Sequence, residues 1–344
     1  MNIVIVGGGF CGAIVAKKLE KQKQHNITLI DKKNYFEYSP SLAKILFNPQ
    51  YHQRLIKPFS RFLPHTKVIT DPLLEITPQH VKTKKEQIPF DYLIISTGID
   101  YPIFLENKEN VYIIKSGTEL LEVHKKISKT KNILIVGGGV IGTELAAEFA
   151  TKTPQIHITL VHPHKRLLER NTPRVSAYAQ RFLETRGVEI IFEEKVINHT
   201  KRVFVTDKKR KINADLCFWC AGISCNPWFM KQFPDSIFTP KKALNVNQYL
   251  QLEGFSNIFV GGDINSIPEE KTAEHADQQA RHIATNIHRH IKNKPLYTYK
   301  SLPLPMDICL GDWDGIVVYP PFILPGFIPG IGKKLVEKIG LKRL

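Results

Sequence analysis

Two glycine-rich turns hold the residues whose types and spacing could do chemistry. In the first, Gly7, Gly9 and Gly12 follow the apolar run Asn2–Val6, and Asp31 ends the next apolar run. Gly7 permits a tight turn, Gly9 lets the backbone approach a pyrophosphate, and Gly12 lets a helix pack close to the strand. The open amides at the start of that helix favour phosphate, and Asp31 is placed to accept ribose hydroxyls. The strand, turn and helix therefore predict a βαβ dinucleotide-binding unit.

The same pattern returns later in the chain. Gly137, Gly139 and Gly142 follow an apolar run at Lys131–Val136, and another run at Ile158–Val161 comes after a helical stretch. An internal repeat of the whole strand, turn, helix and strand pattern indicates two nucleotide-binding units. One chain with two such units most simply holds two different dinucleotides.

Composition sets the broad class. The chain has 344 residues, enough for two domains, with 42% apolar and 23% charged residues, as in ordinary globular proteins. The net charge of +16 suits an anionic partner such as a nucleotide, an acidic membrane surface or nucleic acid. Five cysteines do not make a disulfide framework and indicate a reducing compartment. The first apolar run predicts a strand rather than a signal peptide, and no stretch suits a membrane-spanning helix.

Turns at further strand ends carry a family resemblance. Thr97 and Gly98 end one apolar run, Gly222 ends another, and Gly262 and Asp263 precede a predicted helix. In this order the motifs resemble those of the two-dinucleotide flavoprotein reductases. Between the first two motifs, three short runs near residues 68, 80 and 87 predict a small antiparallel sheet.

Finer segments narrow the resemblance. Asn34–Leu42, Gly142–Glu148 and Ala273–Ala280 are similar to segments of type II NADH:quinone oxidoreductases. Leu310–Gly315 resembles the small flavoproteins that include ferroptosis-suppressor and apoptosis-inducing-factor-like proteins. The resemblance implies an α/β fold with two nested Rossmann-like units. We expect a discontinuous FAD domain at residues 1–115 and 243–290, an inserted NAD(P)H domain at 116–242, and a C-terminal segment at 291–344.

The resemblance also implies the cofactor sites, with FAD on the first unit and NADH or NADPH on the second. The residues implied to contact FAD are Gly7, Gly8, Gly9, Phe10, Cys11, Gly12, Asp31, Lys32, Lys44, Val68, Thr97, Gly98, Gly262, Asp263, Lys271, Thr272 and Ala273. Those implied to contact the nicotinamide nucleotide are Gly137, Gly139, Val140, Ile141, Gly142, Glu144, His162, Lys165, Arg166 and Gly222. The helix that begins at Ala273 would point its positive end at the flavin and stabilise charge on the reduced ring.

One difference from the typical pattern bears on the choice of nucleotide. At the position that matches Asp31 the second unit has His162, and Lys165 and Arg166 follow. An acid there would bond the ribose 2′-hydroxyl and repel a 2′-phosphate, whereas positive groups suit the phosphate. We therefore expect NADPH to be used, alone or together with NADH. The alternative is that these residues form only a solvated basic loop.

The expected reaction is a hydride transfer between stacked rings, which needs position and electrostatics rather than a nucleophile. Glu144, on the first turn of the second unit's helix, is the expected catalytic residue because its carboxylate could orient the nicotinamide. The alternative is an acid favoured there only by the helix dipole. Cys217 and Cys220 lie in a predicted strand, where residues three apart face opposite sides, so we expect no disulfide chemistry. The histidines show no ligand spacing, so we expect no metal site.

Two glutamines are the expected quinone contacts. Gln278 and Gln279 match by position the glutamines that approach the quinone head in type II enzymes. The alternative is that their helix only covers the flavin.

The C-terminal segment predicts a membrane contact. Residues 315–332 carry no charge, but prolines interrupt any single helix through them. Ile331, Leu335 and Ile339 then share a helical face, with Lys334 and Lys338 beside it. This pattern favours an anchor on an anionic membrane surface, and the alternative is a subunit interface or a flap over the flavin.

The predicted function is an FAD-dependent NAD(P)H:quinone oxidoreductase that does not pump protons. We expect it in the cytosol or peripherally bound to the cytoplasmic side of a membrane, with a homodimer as a candidate assembly. Two alternatives remain: a reductase of a small electron-carrier protein such as a ferredoxin, or an apoptosis-inducing-factor-like protein that binds nucleic acid. No nucleic-acid-binding module is recognisable, which disfavours the last.

Overall fold

The computed structural model describes residues 1–319, 321–330, 332, 337, 340 and 341. Numbered along the chain, the strands are β1 (Asn2–Val6), β2 (Asn26–Asp31), β3 (Tyr35–Glu37), β4 (Ile56–Pro58), β5 (Lys67–Thr70), β6 (Leu73–Ile76), β7 (His80–Thr83), β8 (Gln87–Pro89), β9 (Tyr92–Ile95), β10 (Val111–Tyr112), β11 (Asn132–Val136), β12 (His157–His162), β13 (Glu189–Phe192), β14 (Val196–Thr200), β15 (Val203–Thr206), β16 (Lys211–Asn213), β17 (Leu216–Trp219), β18 (Ile258–Val260), β19 (Met306–Leu310), β20 (Asp314–Tyr319) and β21 (Phe322–Pro325). The α-helices are α1 (Phe10–Glu20), α2 (Tyr51–Leu55), α3 (Gly117–Ile127), α4 (Val140–Lys152), α5 (Pro173–Glu184) and α6 (Ala273–Ile291), and short 3₁₀ helices lie at Ser39–Leu46, Phe59–Arg61 and Asp235–Ile237.

Two parallel sheets of five strands form the centre of the molecule. Their orders are β18-β9-β1-β2-β5 and β10-β17-β11-β12-β13. In each sheet a glycine-rich turn follows the middle strand, and the helix after it leads to the neighbouring strand. The second sheet lies between β9 and β18 in the chain. The predicted α/β fold with two nested Rossmann-like units is confirmed.

The small antiparallel sheet has a different membership from the predicted one. It consists of β6, β7 and β8, whereas β5 is the edge of the first parallel sheet, where Val68 pairs with Leu29. The short apolar runs look alike in sequence, and only their partners distinguish them. Because β5 extends the sheet, residues just after it come close to the first glycine-rich turn.

The boundaries between the two units fall earlier in the chain than predicted. Val111 already pairs with Cys217 of the second sheet, before the expected boundary at residue 116. Phe229 and Met230 are buried in one cluster with Val4 of the first sheet, before the expected return at 243. The segment that follows β17 therefore packs on the first unit.

Helix α6 packs along α1 on one face of the first sheet. Thr272 caps it, since its hydroxyl accepts a hydrogen bond from the backbone N–H of His275 at 3.2 Å. Near its far end, His288 and His290 hydrogen-bond Gln22 and the Tyr92 hydroxyl. These contacts fix the direction of α6, whose N-terminus points at the first glycine-rich turn.

The C-terminal segment contains a three-stranded antiparallel sheet at residues 306–325. Strands β19, β20 and β21 pair in sequence order, and β19 packs on α4 of the second unit. The segment exposes the large apolar side chains Trp313, Tyr319, Phe322, Leu324, Phe327 and Ile328. The predicted helical face Ile331, Leu335 and Ile339, with Lys334 and Lys338, lies outside the described residues. Within the described ranges, no helix has both the length and the apolar character needed to cross a bilayer.

Candidate active site

A cavity of about 840 Å³ opens onto both glycine-rich turns. It is lined by most of the residues predicted for FAD: Gly7, Gly8, Gly9, Phe10, Cys11, Asp31, Lys32, Thr97, Gly98, Gly262, Asp263, Lys271, Thr272 and Ala273. It is also lined by Gly139, Val140, Ile141, Glu144 and Gly222, which were predicted for the nicotinamide nucleotide. Ligands bound at the two turns would therefore share one cavity.

The first turn is shaped by contacts around Asp31. The Gly8 N–H donates to one oxygen of the Asp31 carboxylate at 2.6 Å, and the Lys33 N–H donates to the other at 2.8 Å. A Cβ on Gly12 would lie 1.9 Å from the carbonyl oxygen of Gly7, so only glycine lets α1 start this close to β1. A Cβ on Gly9 would meet no described atom within 4 Å, which leaves that face of the turn open to the cavity.

The buried hydroxyl of Thr97 tests whether a polar ligand fits here. Among the described residues its Oγ1 has no hydrogen-bond partner, although Thr97 lines the cavity. A buried polar atom without a partner is costly, and a bound ligand would satisfy it. The open face at Gly9, this hydroxyl and the Asp31 carboxylate together fit the pyrophosphate and ribose of a dinucleotide.

Opposite the turn, a lysine fixes the loop that leads into α6. The Lys271 ammonium donates to the backbone carbonyls of Asn265 and Ile267 at 3.0 and 3.3 Å. Burial lowers the pKa of Lys271, against the opposing effect of Asp263. Burial raises the pKa of the Asp263 carboxyl, against the effect of Lys271. Both side chains are thus held in a poorly solvated wall at the start of α6.

The predicted quinone contacts Gln278 and Gln279 are not in this wall. Gln279 is 2% exposed; its Oε1 accepts from the Gly262 N–H and from Asn265 Nδ2, both at 2.7 Å, and its Nε2 donates to Glu269 at 2.5 Å. Gln278 lies in a separate shallow depression near Lys300. The amide of Gln279 is thus bound to the loop that carries Asp263, and Gln278 lies outside the cavity. The role of these two glutamines as quinone contacts stays a prediction.

Lys44 and Val68, predicted as FAD contacts, also lie outside the cavity wall. The Lys44 ammonium forms an ion pair with Glu337 at 2.7 Å and contacts the Tyr51 hydroxyl. Glu337 also accepts from the hydroxyls of Ser41 and Tyr51 and itself lines the cavity. The C-terminal segment thus places a carboxylate between Lys44 and the cavity.

The second glycine-rich turn has the same hydrogen-bond arrangement as the first, but the acceptor is an imidazole instead of a carboxylate. The Gly138 N–H donates to Nδ1 of His162 at 3.0 Å, as Gly8 does to Asp31. His162 is 3% exposed, and burial lowers its pKa, although the neighbouring carboxylate of Glu169 opposes this. The imidazole is therefore neutral at neutral pH, with Nε2 donating to Glu169 at 3.1 Å.

The basic residues predicted to suit a 2′-phosphate lie outside the cavity wall. Arg166 turns inward, where its guanidinium donates to the carbonyls of Asn171 and Glu169 and to the Ser176 hydroxyl at 2.6–2.7 Å. Neither His162, Lys165 nor Arg166 lines the cavity. Gly137 and Gly142 also lie behind its wall, where a Cβ on Gly142 would be 1.8 Å from the Gly137 carbonyl oxygen.

Glu144 lines the cavity from the first turn of α4. Its Oε1 accepts the backbone N–H of Cys309 at 2.8 Å. This bond joins the nicotinamide-side helix to β19, so the predicted catalytic carboxylate also holds the C-terminal sheet against the second unit.

Sequence reasoning missed several residues of the wall. Tyr101 lines the cavity and is mostly buried, and burial raises its pKa to about 12. Pro305–Asp307 reach the cavity from the start of β19, and Glu169 reaches it from the loop after β12. The position of Tyr101 just after the Thr97-Gly98 strand end is a signal that could have found it. No sequence pattern marks the other two.

With the geometry established, comparison with known proteins assigns the chain to a family. The family model described as pyridine nucleotide-disulphide oxidoreductase matches residues 1–280. This chain belongs to that family. Members use FAD and NAD(P)H, so this oxidoreductase is a flavoprotein with those two cofactors.

Three similarities extend along most of the oxidoreductase. It is 30% identical to ferroptosis suppressor protein 1 of Taeniopygia guttata over 92% of this chain and 88% of that protein. It is 24% identical to the type II NADH:quinone oxidoreductase of Staphylococcus haemolyticus, over 92% of this chain and 90% of that protein. The solved structure of NDH2 from Plasmodium falciparum in complex with NADH superposes with a TM-score of 0.86 at 17% identity, covering 99% of this chain and 96% of the other. The last similarity concerns the fold alone.

Proposed function

We propose that this oxidoreductase is an FAD-dependent NAD(P)H:quinone oxidoreductase that does not pump protons and works at a membrane surface. Bound FAD would supply the redox chemistry, taking a hydride from the nicotinamide and passing two electrons to a quinone. The residues of the chain would bind, orient and shield the reactants. Two curated relatives, one of them named a type II NADH:quinone oxidoreductase, support the choice.

The first unit fits the FAD. Asp31 would accept the ribose hydroxyls, while the open face at Gly9 and the Thr97 hydroxyl would face the pyrophosphate. The N-terminus of α6, at Thr272 and Ala273, would stabilise negative charge at the pyrimidine end of the ring, because the helix dipole is positive there.

The second unit fits the nicotinamide nucleotide. Gly139, Val140 and Ile141 present the open amides of α4 to its phosphates. Glu144, held by the Cys309 N–H, would orient the nicotinamide from the same cavity wall. Position alone accounts for much of the rate of such a transfer, since the reacting rings must be stacked.

The buried thiols argue against disulfide reduction. Cys11 and Cys220 line the cavity, but burial raises the pKa of both thiols, that of Cys220 to about 12. Disulfide exchange needs a thiolate, which these groups do not form near neutral pH.

The quinone proposal rests on the C-terminal sheet, which both lines the cavity and exposes large apolar side chains. Its first residues, Pro305–Asp307, line the cavity. Phe322, 72% exposed, pairs with Tyr319 at the end of the sheet where Met306 pairs with Val318. Phe327, 57% exposed, stacks on Trp313, 60% exposed, at the other end. Exposed apolar clusters of this kind mark contact surfaces. A membrane contact here would place the cavity next to the lipid phase that holds quinones, and the net charge of +16 suits anionic lipid.

Acceptor-dependent turnover tests the proposal. The purified yellow protein is mixed with NADH or NADPH and either a short-chain ubiquinone, a ferredoxin or dissolved oxygen alone. We expect oxidation to be fastest with the quinone. Turnover of ferredoxin without quinone turnover would replace the proposal with a carrier-protein reductase, and the absence of FAD from the purified protein would refute it.

The membrane contact is tested with liposomes that contain anionic lipid and a long-chain quinone. The variant Phe322→Ser with Phe327→Ser should lose sedimentation with the liposomes and turnover of the embedded quinone, but keep turnover of a water-soluble quinone. Ile197→Ser with Leu74→Ser is the control, because these side chains are also exposed but lie on other sheets. Equal liposome binding by both variants would refute the contact.

A further inference from the structure

In the second nucleotide unit the carboxylate lies one side chain further from the glycine-rich turn than it does in the first unit. In the first unit the Gly8 N–H bonds the carboxylate of Asp31 directly. In the second, the Gly138 N–H bonds Nδ1 of the neutral His162. An imidazole whose Nδ1 accepts carries its proton on Nε2, and that proton points to Glu169.

Glu169 is positioned to face a ligand. It lines the cavity together with the open amides of α4, and its carboxylate is about one-third exposed. His162 holds one carboxylate oxygen at 3.1 Å, which leaves the other directed outward, where the His164 ring lies 3.8 Å away. The carboxylate is therefore pre-oriented one side chain further out than the ribose acid of the first unit.

The positive groups that could offset this charge are directed elsewhere. Arg166 donates to the backbone carbonyl of Glu169, not to its carboxylate, and its other bonds go to Asn171 and Ser176. Lys165 is exposed and does not line the cavity. Arg170 also lines the cavity, but its guanidinium forms an ion pair with Glu270 at 3.1 Å, so its charge is already partnered. A nucleotide bound on this turn would meet the Glu169 carboxylate from the same wall.

We propose that Glu169, held by His162, accepts the ribose 2′-hydroxyl of the nucleotide and makes NADH the preferred substrate over NADPH. The inference deepens the proposed function, and it reverses the preference predicted from the basic residues of this loop. A hydroxyl can donate to the carboxylate. A 2′-phosphate is mostly deprotonated near neutral pH and brings a charge of about −1.5 to −2 against the carboxylate. The discrimination is therefore electrostatic and located at one side chain.

Binding measurements test the assignment without any turnover. Titration calorimetry compares ADP-ribose with 2′-phospho-ADP-ribose on the FAD-loaded protein. We expect the wild type to prefer ADP-ribose by at least about tenfold, and Glu169→Gln to lose most of that preference by binding the phosphorylated ligand more tightly. Glu184→Gln removes one exposed carboxylate from α5, which is not in the cavity wall, and should keep the wild-type ratio. Equal binding of both ligands by the wild type, or an unchanged ratio in Glu169→Gln, would overturn the proposal.

A rescue variant separates a specific role from a loss of structure. In the background of Glu169→Gln, His162→Asp returns a carboxylate to the position it has in the first unit, where it can accept the Gly138 N–H. The double variant should regain the preference for ADP-ribose. If it folds, by thermal unfolding, and shows no preference, the equivalence of the two units is wrong and the proposal fails.

Anaerobic mixing with NADH or NADPH, followed at the flavin absorbance, links binding to chemistry. Faster bleaching by NADH in the wild type, with the ratio reduced in Glu169→Gln, is the expected result. If the binding preference is present but neither nucleotide bleaches the flavin, the proposed function fails while the role of Glu169 stands. If both nucleotides bleach it equally, the function survives and the role of Glu169 is refuted.

Discussion

Replacing Gln279 by alanine distinguishes a structural role of this side chain from quinone binding. The side chain is almost fully buried and bonds the Gly262 N–H, the Asn265 amide and the Glu269 carboxylate. Its loss would leave two donors buried without an acceptor, while Glu269 keeps the Tyr299 hydroxyl at 3.0 Å. We therefore expect a loss of folding stability and of FAD, rather than a change confined to the quinone.

The size of the effect follows from the orphaned groups. A buried donor left without a partner costs about 1–3 kcal/mol, so two such donors suggest a destabilisation of about 3 kcal/mol. For a chain larger than 150 residues, about 2–4 °C of melting temperature is lost per kcal/mol, which gives a fall of roughly 6–12 °C. FAD should also be retained less well, because the loop that Gln279 holds carries Asp263 into the cavity.

The assay is thermal unfolding of the FAD-loaded protein, with flavin fluorescence as a second signal for release of the cofactor. Gln278→Ala is the matched control, because the bonds of Gln278 to the Lys300 carbonyl and the Tyr299 hydroxyl are long, at 3.3 and 3.4 Å. It should change stability by less than about 0.5 kcal/mol. A Gln279→Ala protein with unchanged melting temperature and a raised KM for quinone alone would refute the reasoning and restore the quinone role.

Two further predictions concern the first turn and the C-terminal contact. Gly12→Ala places a Cβ 1.9 Å from the Gly7 carbonyl oxygen and should destabilise the fold by about 3 kcal/mol or more, whereas Gly9→Ala points into the cavity and should weaken FAD retention at unchanged stability. Denaturant unfolding and flavin release measure both, and equal stability of the two variants would contradict the packing argument. Burial raises the pKa of the Glu337 carboxyl, but hydrogen bonds from Lys44 and its neighbours outweigh this and lower the pKa below 4.5. The contribution of Glu337 to folding stability is therefore present at neutral pH and is lost as the pH falls through its lowered pKa. The free energy of unfolding of the wild type should exceed that of Glu337→Gln by about 1–2 kcal/mol at pH 7, and the two values should converge in acid. A difference in this free energy that does not depend on pH would argue against the ion pair.

The two nucleotide units could be predicted from sequence because their signals are local. A glycine at position 12 or 142 is required by an atom only five residues away, and the apolar runs that flank each turn specify their own strands. Asp31 likewise bonds the turn that its own strand adjoins. Since these constraints act within one βαβ unit, the two units followed from motif and spacing. Most of the cavity wall followed from the family resemblance that these motifs carry.

The remaining features depend on residues that meet only after the chain has folded. Gln278 and Gln279 are neighbours of the same type, and burial under the Gly262 loop alone distinguishes them. Glu337 reaches Lys44 from the far end of the chain.

The sequence by itself determined that this protein binds two dinucleotides on two nested units. Only the tertiary structure decided which side chains face them. The basic residues after His162 indicated a phosphate pocket, but the loop turns Arg166 inward and brings Glu169 to the cavity. The physical reason is that charge acts through its position and its partners, and a list of residue types contains neither.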